Sequence, residues 1–145
     1  MRSKSVFFSA GVVVVRREST GWRLLVLRSY QYWDFPKGMV EPGEALLDAA
    51  IRETAIRETA EETSISDLVF RWGEHFCETA PYGRGKVARY YLAETATKTI
   101  VLPVSPQIGR PEHDEWRWVN FGEAAHLLPP RLQPVLIWAR KLLEA

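Results

Sequence analysis

The chain has 145 residues, 46% of them hydrophobic, with six Trp, five Tyr and six Phe, enough for one domain (1–145) with a substantial core. A formal net charge of +1 excludes a strong overall field for nucleic acid or membrane surfaces, so an anionic ligand must be held by a local charge cluster. The single cysteine, Cys77, excludes an internal disulfide framework and suits a reducing compartment.

The chain opens on MRSK and the apolar run VFFSAGVVVV, a charged start and core that mimic a secretory leader. Arg16 and Arg17 stand where small cleavage-site residues would follow, so the β-branched run reads as a buried strand, Phe8–Arg16. No stretch reaches the ~18 apolar residues of a membrane span, and a cytoplasmic location without a membrane partner is expected. Trp22–Ser29 is a second strand, joined to the first by the turn-forming ESTG. The Pro- and Gly-rich loop WDFPKGMVEPGE leads into a helix expected from Glu44 to about Thr63. Strand-like segments follow at Leu68–Trp72, His75–Thr79 and Val87–Ala93, the last two flanking APYGRGK. IVLPVSPQIGRPEHDE, with three prolines and little periodicity, reads as a connection. Trp116–Asn120 is a short strand, and Phe121–Leu128 and Pro134–Leu143 are closing helices. Strands with helices before and after them give an α/β or α+β sandwich.

Glu58, Glu61 and Glu62, spaced i, i+3, i+4, share one face of the central helix. Carboxylates so close repel one another unless a cation sits among them, and hard divalent ions such as Mg²⁺ or Mn²⁺ suit such oxygens; a solvated acidic face is the plain alternative. Gly38, five residues and Glu44 precede them, and Arg57-Glu58-Thr59-Ala60-Glu61-Glu62-Thr63-Ser64-Ile65 closes the pattern. Together these resemble the Nudix box, Gx5Ex7REUxEExGU, with Ser64 in place of its last glycine.

The resemblance implies a Nudix fold, an α/β/α sandwich with a central mixed sheet. It also implies hydrolysis of a nucleoside diphosphate linked to another moiety, with a divalent metal and a water nucleophile. Glu58, Glu61 and Glu62 would be ligands, the Gly38 carbonyl a further one, and Arg57 the box arginine. Glu115, before a late strand, stands where many relatives place an extra ligand or general base; a solvated loop acid is the alternative. PKG-x-VEPGE resembles the subgroup that hydrolyses diadenosine tetraphosphate asymmetrically. In that light Lys37, Arg84 and Lys86 are phosphate contacts, Arg28 a weaker one, and Tyr82 and Tyr90 are expected either to stack on adenine or to pack on the sheet. The expected partner is a nucleotide, not DNA; RNA 5′ ends and nucleotide sugars are the lesser alternatives.

The box is written in two registers. AIRET occurs twice, at 50–54 and 55–59, and only the second Arg-Glu pair is followed by Glu-Glu. The first copy has the family's spacing from Glu44, with Ala45–Ile51 before Arg52-Glu53, while the second has the ligands. Five extra residues turn everything beyond them by about 500° and add roughly 7.5 Å. In a straight helix Leu47, Ala50 and Ile51 would then share the stripe of the glutamates. The expectation is that the second copy keeps the ligand positions and that the surplus bulges or unwinds within residues 44–56. Arg52 or Arg57 would brace the loop. Ser64, at the helix end, must take a left-handed conformation at about 1–2 kcal/mol. A domain that binds nucleotide without turnover, its catalysis spoiled by the pentad, is the competing reading.

Overall fold

The computed structural model describes residues 8–40 and 47–144. Strand β1 (Phe8–Glu18) is followed by β2 (Gly21–Ser29), β3 (Tyr32–Asp34) and β4 (Lys37–Met39). Helix α1 (Asp48–Thr63) precedes β5 (Phe76–Glu78), β6 (Val87–Glu94) and β7 (Glu115–Val119). Helix α2 (Phe121–Leu127), a 3₁₀ turn (Pro130–Leu132) and α3 (Gln133–Glu144) close the chain.

The sheet runs β3-β2-β1-β6-β5, with β4 paired to β1 and β7 to β2. Only β1 and β6 are parallel among the described pairs, so the sheet is mixed as expected. Central β1 explains its own composition: Val12, Val13, Val14 and Val15 are all fully buried, because helices cover both faces. Val13 and Val15 face Leu132, Val135 and Ala139 of the C-terminal helical layer. Val12 and Val14 face Ile51 and Ala55 of α1. The α/β/α sandwich follows from this two-sided alternation.

Several expectations change. Leu68–Trp72 forms no strand; Val69 makes one isolated bridge to Glu94. Two strands, β3 and β4, arise within YWDFPKGM, where a loop is expected from Trp33 on, and are too short to show a period of two. The bulge expected within 44–56 is absent from residues 48–56, since Asp48–Thr63 is one unbroken helix; residues 44–46 lie outside the described residues. The helix starts at Asp48, whose carboxylate binds Arg89 of β6 at 3.0 Å, and Leu47 is 66% exposed rather than part of the core stripe. Both AIRET copies are therefore helical, and α1 is buried along Ile51, Thr54, Ala55, Thr59, Glu62 and Thr63. Its three buried threonines each donate to the carbonyl four residues back: Thr54 to Ala50, Thr59 to Ala55 and Thr63 to Thr59.

Ile51 and Glu62, eleven residues apart, lie within about 20° of one another around the axis. The conflict between core and acid on one stripe is resolved along the helix. The apolar turns cross the sheet, and the acidic turns reach its edge at β4. Ser64 ends α1 at φ 66°, as expected, with its N–H bonded to Ala60 O and its hydroxyl to Val101 O. Ser64→Gly relieves the left-handed strain, whereas Ser64→Ala keeps the strain and loses the hydroxyl. The Gly variant is thus expected to be more stable than the Ala variant by about 1 kcal/mol, or ~2–4 °C in Tm by calorimetry.

Candidate functional site

The site begins where β4 meets α1. A Cβ on Gly38 would lie 2.0 Å from Glu58 Cδ, so only glycine lets the Glu58 carboxyl rest on this strand. One turn later, Glu62 Oε1 accepts from the Lys37 backbone N–H at 3.3 Å. The second AIRET copy therefore holds the position against GMV. In the first copy Arg52 instead packs its guanidinium 4.4 Å from the Phe70 ring, and Glu53 is exposed. Arg57 spans Glu58 (3.4 Å) and Glu61 (3.5 Å) on the exposed side of the helix. The expected bracing of the GMVEPGE loop by Arg52 or Arg57 falls on residues 41–46, outside the described residues.

Burial dominates the electrostatics. The Glu62 side chain is 3% exposed, and its pKa is pushed up to about 9, first by burial and then by the charges of Glu112 and Glu58. The Lys37 N–H opposes this too weakly to reverse it. Glu58 is also raised, by burial and by Glu61, against the pull of Arg57. His113 Nδ1 stands 3.9 Å from Glu62 Oε1, and burial holds its pKa below the ordinary histidine value.

Lys37, Asp34 and Arg131 form a neighbouring polar knot. Asp34 accepts from Tyr90 Oη (2.8 Å), Arg131 Nη2 (2.8 Å) and the Phe35 N–H (2.7 Å), and Lys37 Nζ is 3.6 Å away. Tyr90 is fully buried, edge-on to Phe35, so of the two expectations for it, packing on the sheet holds and stacking on a base does not: its hydroxyl anchors Asp34. Tyr82 is half-buried with the Arg131 guanidinium 4.3 Å over its ring. Arg84 and Lys86 are exposed on the turn closed by Tyr82 and Lys86, where Gly83 and Gly85 have positive φ. Arg28 and Glu115, expected as a phosphate contact and a ligand, bind each other at 3.0 Å across β2 and β7. Arg117 also holds Glu115, and these two hydrogen bonds keep its carboxyl below the usual range. The acid of EHDE that bears on the helix glutamates is Glu112, three residues earlier and ahead of the strand. Sequence reasoning passed over Glu112, His113, Asp34 and Arg131; the run of ionisable residues 112–115 was the one available signal.

Among the described residues, no three His, Cys, Asp or Glu side chains already converge on a metal-binding point. The donor set still fits a hard divalent cation. Glu58, Glu62 and Glu112 offer only oxygen, and the local positive charge is too small to keep buried Glu62 ionised.

The NUDIX domain profile matches residues 7–139. The chain belongs to the Nudix family. It is 34% identical over 122 residues to the Caenorhabditis elegans asymmetrical bis(5′-nucleosyl)-tetraphosphatase, covering 80% of each chain. It is 31% identical over 131 residues to the corresponding Rattus norvegicus enzyme, covering 82% of each. The Bartonella bacilliformis RNA pyrophosphohydrolase is 29% identical over 133 residues, with 77% of this chain and 75% of the relative covered. The Nudix fold itself superposes on a C. elegans Ap4A hydrolase binary complex with a TM-score of 0.74 at 24% identity, over 93% of this chain and 95% of the other.

Two outcomes follow from this Nudix site. Between the ordinary pKa of 4.5 and about 9, the folded state retains the Glu62 proton that the unfolded state has lost, so metal-free stability falls as pH rises through that window. Glu62→Gln in chelator should flatten that fall and raise Tm at pH 8 by at least about 2 °C. Gly38→Ala should still unfold cooperatively, since a side chain can yield to the new methyl. It displaces Glu58, however, and should weaken Mn²⁺ binding, measured by titration of Tm, by about tenfold or more.

Proposed function

We propose that this Nudix hydrolase cleaves dinucleoside polyphosphates by water attack on phosphorus, with Mg²⁺ or Mn²⁺ as the cofactor. The observation that carries the reading is the seating of Glu58 on Gly38 and of Glu62 on the Lys37 N–H. The duplicated pentad thus leaves Glu58 and Glu62, in the register of the second copy, against Lys37 and Gly38. Glu58, Glu61 and Glu62 would hold the cation together with the Gly38 carbonyl, and Glu112 stands beside them as a base. A bound divalent cation supplies neutralisation of phosphate charge and a lowered pKa for water.

The chain's own residues do the rest. Glu112 accepts the proton of the attacking water. Arg57 restrains Glu58 and Glu61. Arg84 and Lys86, exposed on a turn of positive-φ glycines, bind the phosphate chain, and Lys37 adds a charge tempered by Asp34. The exposed part of Tyr82 packs on a base. Two relatives of 31% and 34% identity named as asymmetrical tetraphosphatases favour this substrate over an RNA 5′ end. No helix among the described residues is long and apolar enough to cross a membrane, in keeping with the cytoplasmic location proposed for a nucleotide hydrolase.

A second reading, nucleotide binding without turnover, is favoured by one observation. Arg57 engages Glu58 and Glu61, so a guanidinium already pairs with two of the expected ligands. An assay with Mg²⁺ and Mn²⁺ over diadenosine polyphosphates, nucleotide sugars and 5′-triphosphate RNA separates the two. Diadenosine tetraphosphate should give the highest kcat/KM, and Glu58→Gln and Glu62→Gln should each lower kcat by about 10²–10⁴-fold. An inactive parent made active by deletion of Ala55–Thr59 would establish the second reading instead.

A further inference from the structure

An acid wall of Glu61 and Glu62, joined by Glu112, lines a cleft of about 420 Å³. Pro103, Val104, Pro106 and Gln107 line it as well. This segment is built as a small hairpin. Val104 bridges Pro111, Ser105 N–H donates to Arg110 O at 2.9 Å, and Gly109 N–H donates to Ser105 O at 2.8 Å with Gly109 at φ +73°. Its side chains are organised too: the Ser105 hydroxyl donates to Gln107 Oε1 at 3.0 Å, leaving the amide NH₂ to act as a donor. Val104 is nonetheless 62% exposed, an apolar group turned outward on an ordered turn beside the carboxylates.

The cleft is chemically two-sided. Among the described residues that line it none is Lys or Arg, so the hairpin side offers no cationic side chain to a phosphate, whose charge belongs with a cation on the acid wall. The hairpin side suits an uncharged, flat group with acceptor atoms on its rim. The volume lies near the lower end of ligand pockets, about 300–1,000 Å³, which leaves room for one nucleoside and not two.

We propose that the 103–107 hairpin is the base-recognition wall of this site. Val104 and Pro106 pack on the face of one nucleobase, and the Gln107 amide donates to its edge. This rests on the nucleotide-hydrolase reading and names the residues that choose among its substrates.

The test compares wild-type protein with Val104→Asn and Gln107→Ala. Both positions lie on the surface hairpin, so the fold is expected to be retained. Kinetics with diadenosine tetraphosphate should show KM raised about tenfold for Val104→Asn with kcat within about twofold. Equilibrium binding of ADP and of inorganic tripolyphosphate, each with Mn²⁺, gives a readout that needs no turnover. Val104→Asn should weaken ADP about tenfold and leave tripolyphosphate unchanged, and Gln107→Ala should narrow the difference in affinity between ADP and GDP. An equal change for ADP and tripolyphosphate, no change for ADP, or a wild type that binds ADP no more tightly than tripolyphosphate overturns the inference. A wild type without turnover that keeps the base-dependent pattern overturns the hydrolase reading alone.

Discussion

Everything in this molecule depends on one close approach, the seating of the Glu58 carboxyl against Gly38 where α1 crosses β4. No other residue at position 38 permits it without moving Glu58, because a Cβ would fall 2.0 Å from the carboxyl carbon. Once that contact is made, the rotation of a rigid helix is settled. Ile51 and Ala55 must lie on the sheet, and Glu62 must reach the Lys37 N–H. At the other end of α1, Asp48 meets Arg89, a nearly buried arginine that also binds Glu78 and stacks 3.8 Å from Phe76. The helix is held at both ends by contacts with the sheet.

The same contact creates the site's electrostatic demand. It carries two carboxyls out of water, next to a third at Glu112. The nearby cations are already engaged: Arg57 with Glu58 and Glu61, Lys37 and Arg131 with Asp34, and Arg28 with Glu115. A protein of net charge +1 thus concentrates unbalanced negative charge in one cleft. A proton or a divalent cation must supply the difference, which couples cation binding to pH.

Much of the fold was legible because long elements repeat a pattern. β1 and β2 alternate between two cores, and the closing helices show their apolar spacing. The Nudix box was legible as spaced, mostly charged or glycine letters. Short elements were not: β3 and β4 have three residues each, and their pairing with β2 and β1 exists only across the sheet. Tyr90 reads the same in sequence whichever face of β6 it takes; the register of β6 against β1 puts it in the core with Phe35 and its hydroxyl on Asp34, while Tyr91 enters the other core. Glu112 and Glu115 differ by three letters, yet one precedes β7 and faces the helix acids while the other joins the strand and meets Arg28.

The amino-acid order alone determined that the second Arg-Glu pair carries the ligands, since only it precedes Glu61-Glu62, and that position 64 must adopt a left-handed turn without glycine. It also set the helical phase, in which eleven residues return nearly to the same direction and Ile51 falls in line with Glu62. Whether that alignment was a contradiction could be decided only in three dimensions. A helix read from its letters has faces but no surroundings. Here the surroundings change along its axis, from a hydrophobic sheet under Ile51 and Ala55 to the bare backbone of Gly38 under Glu58. One continuous stripe therefore serves as core at one end and as candidate metal site at the other, and Asp48–Thr63 needs no bulge.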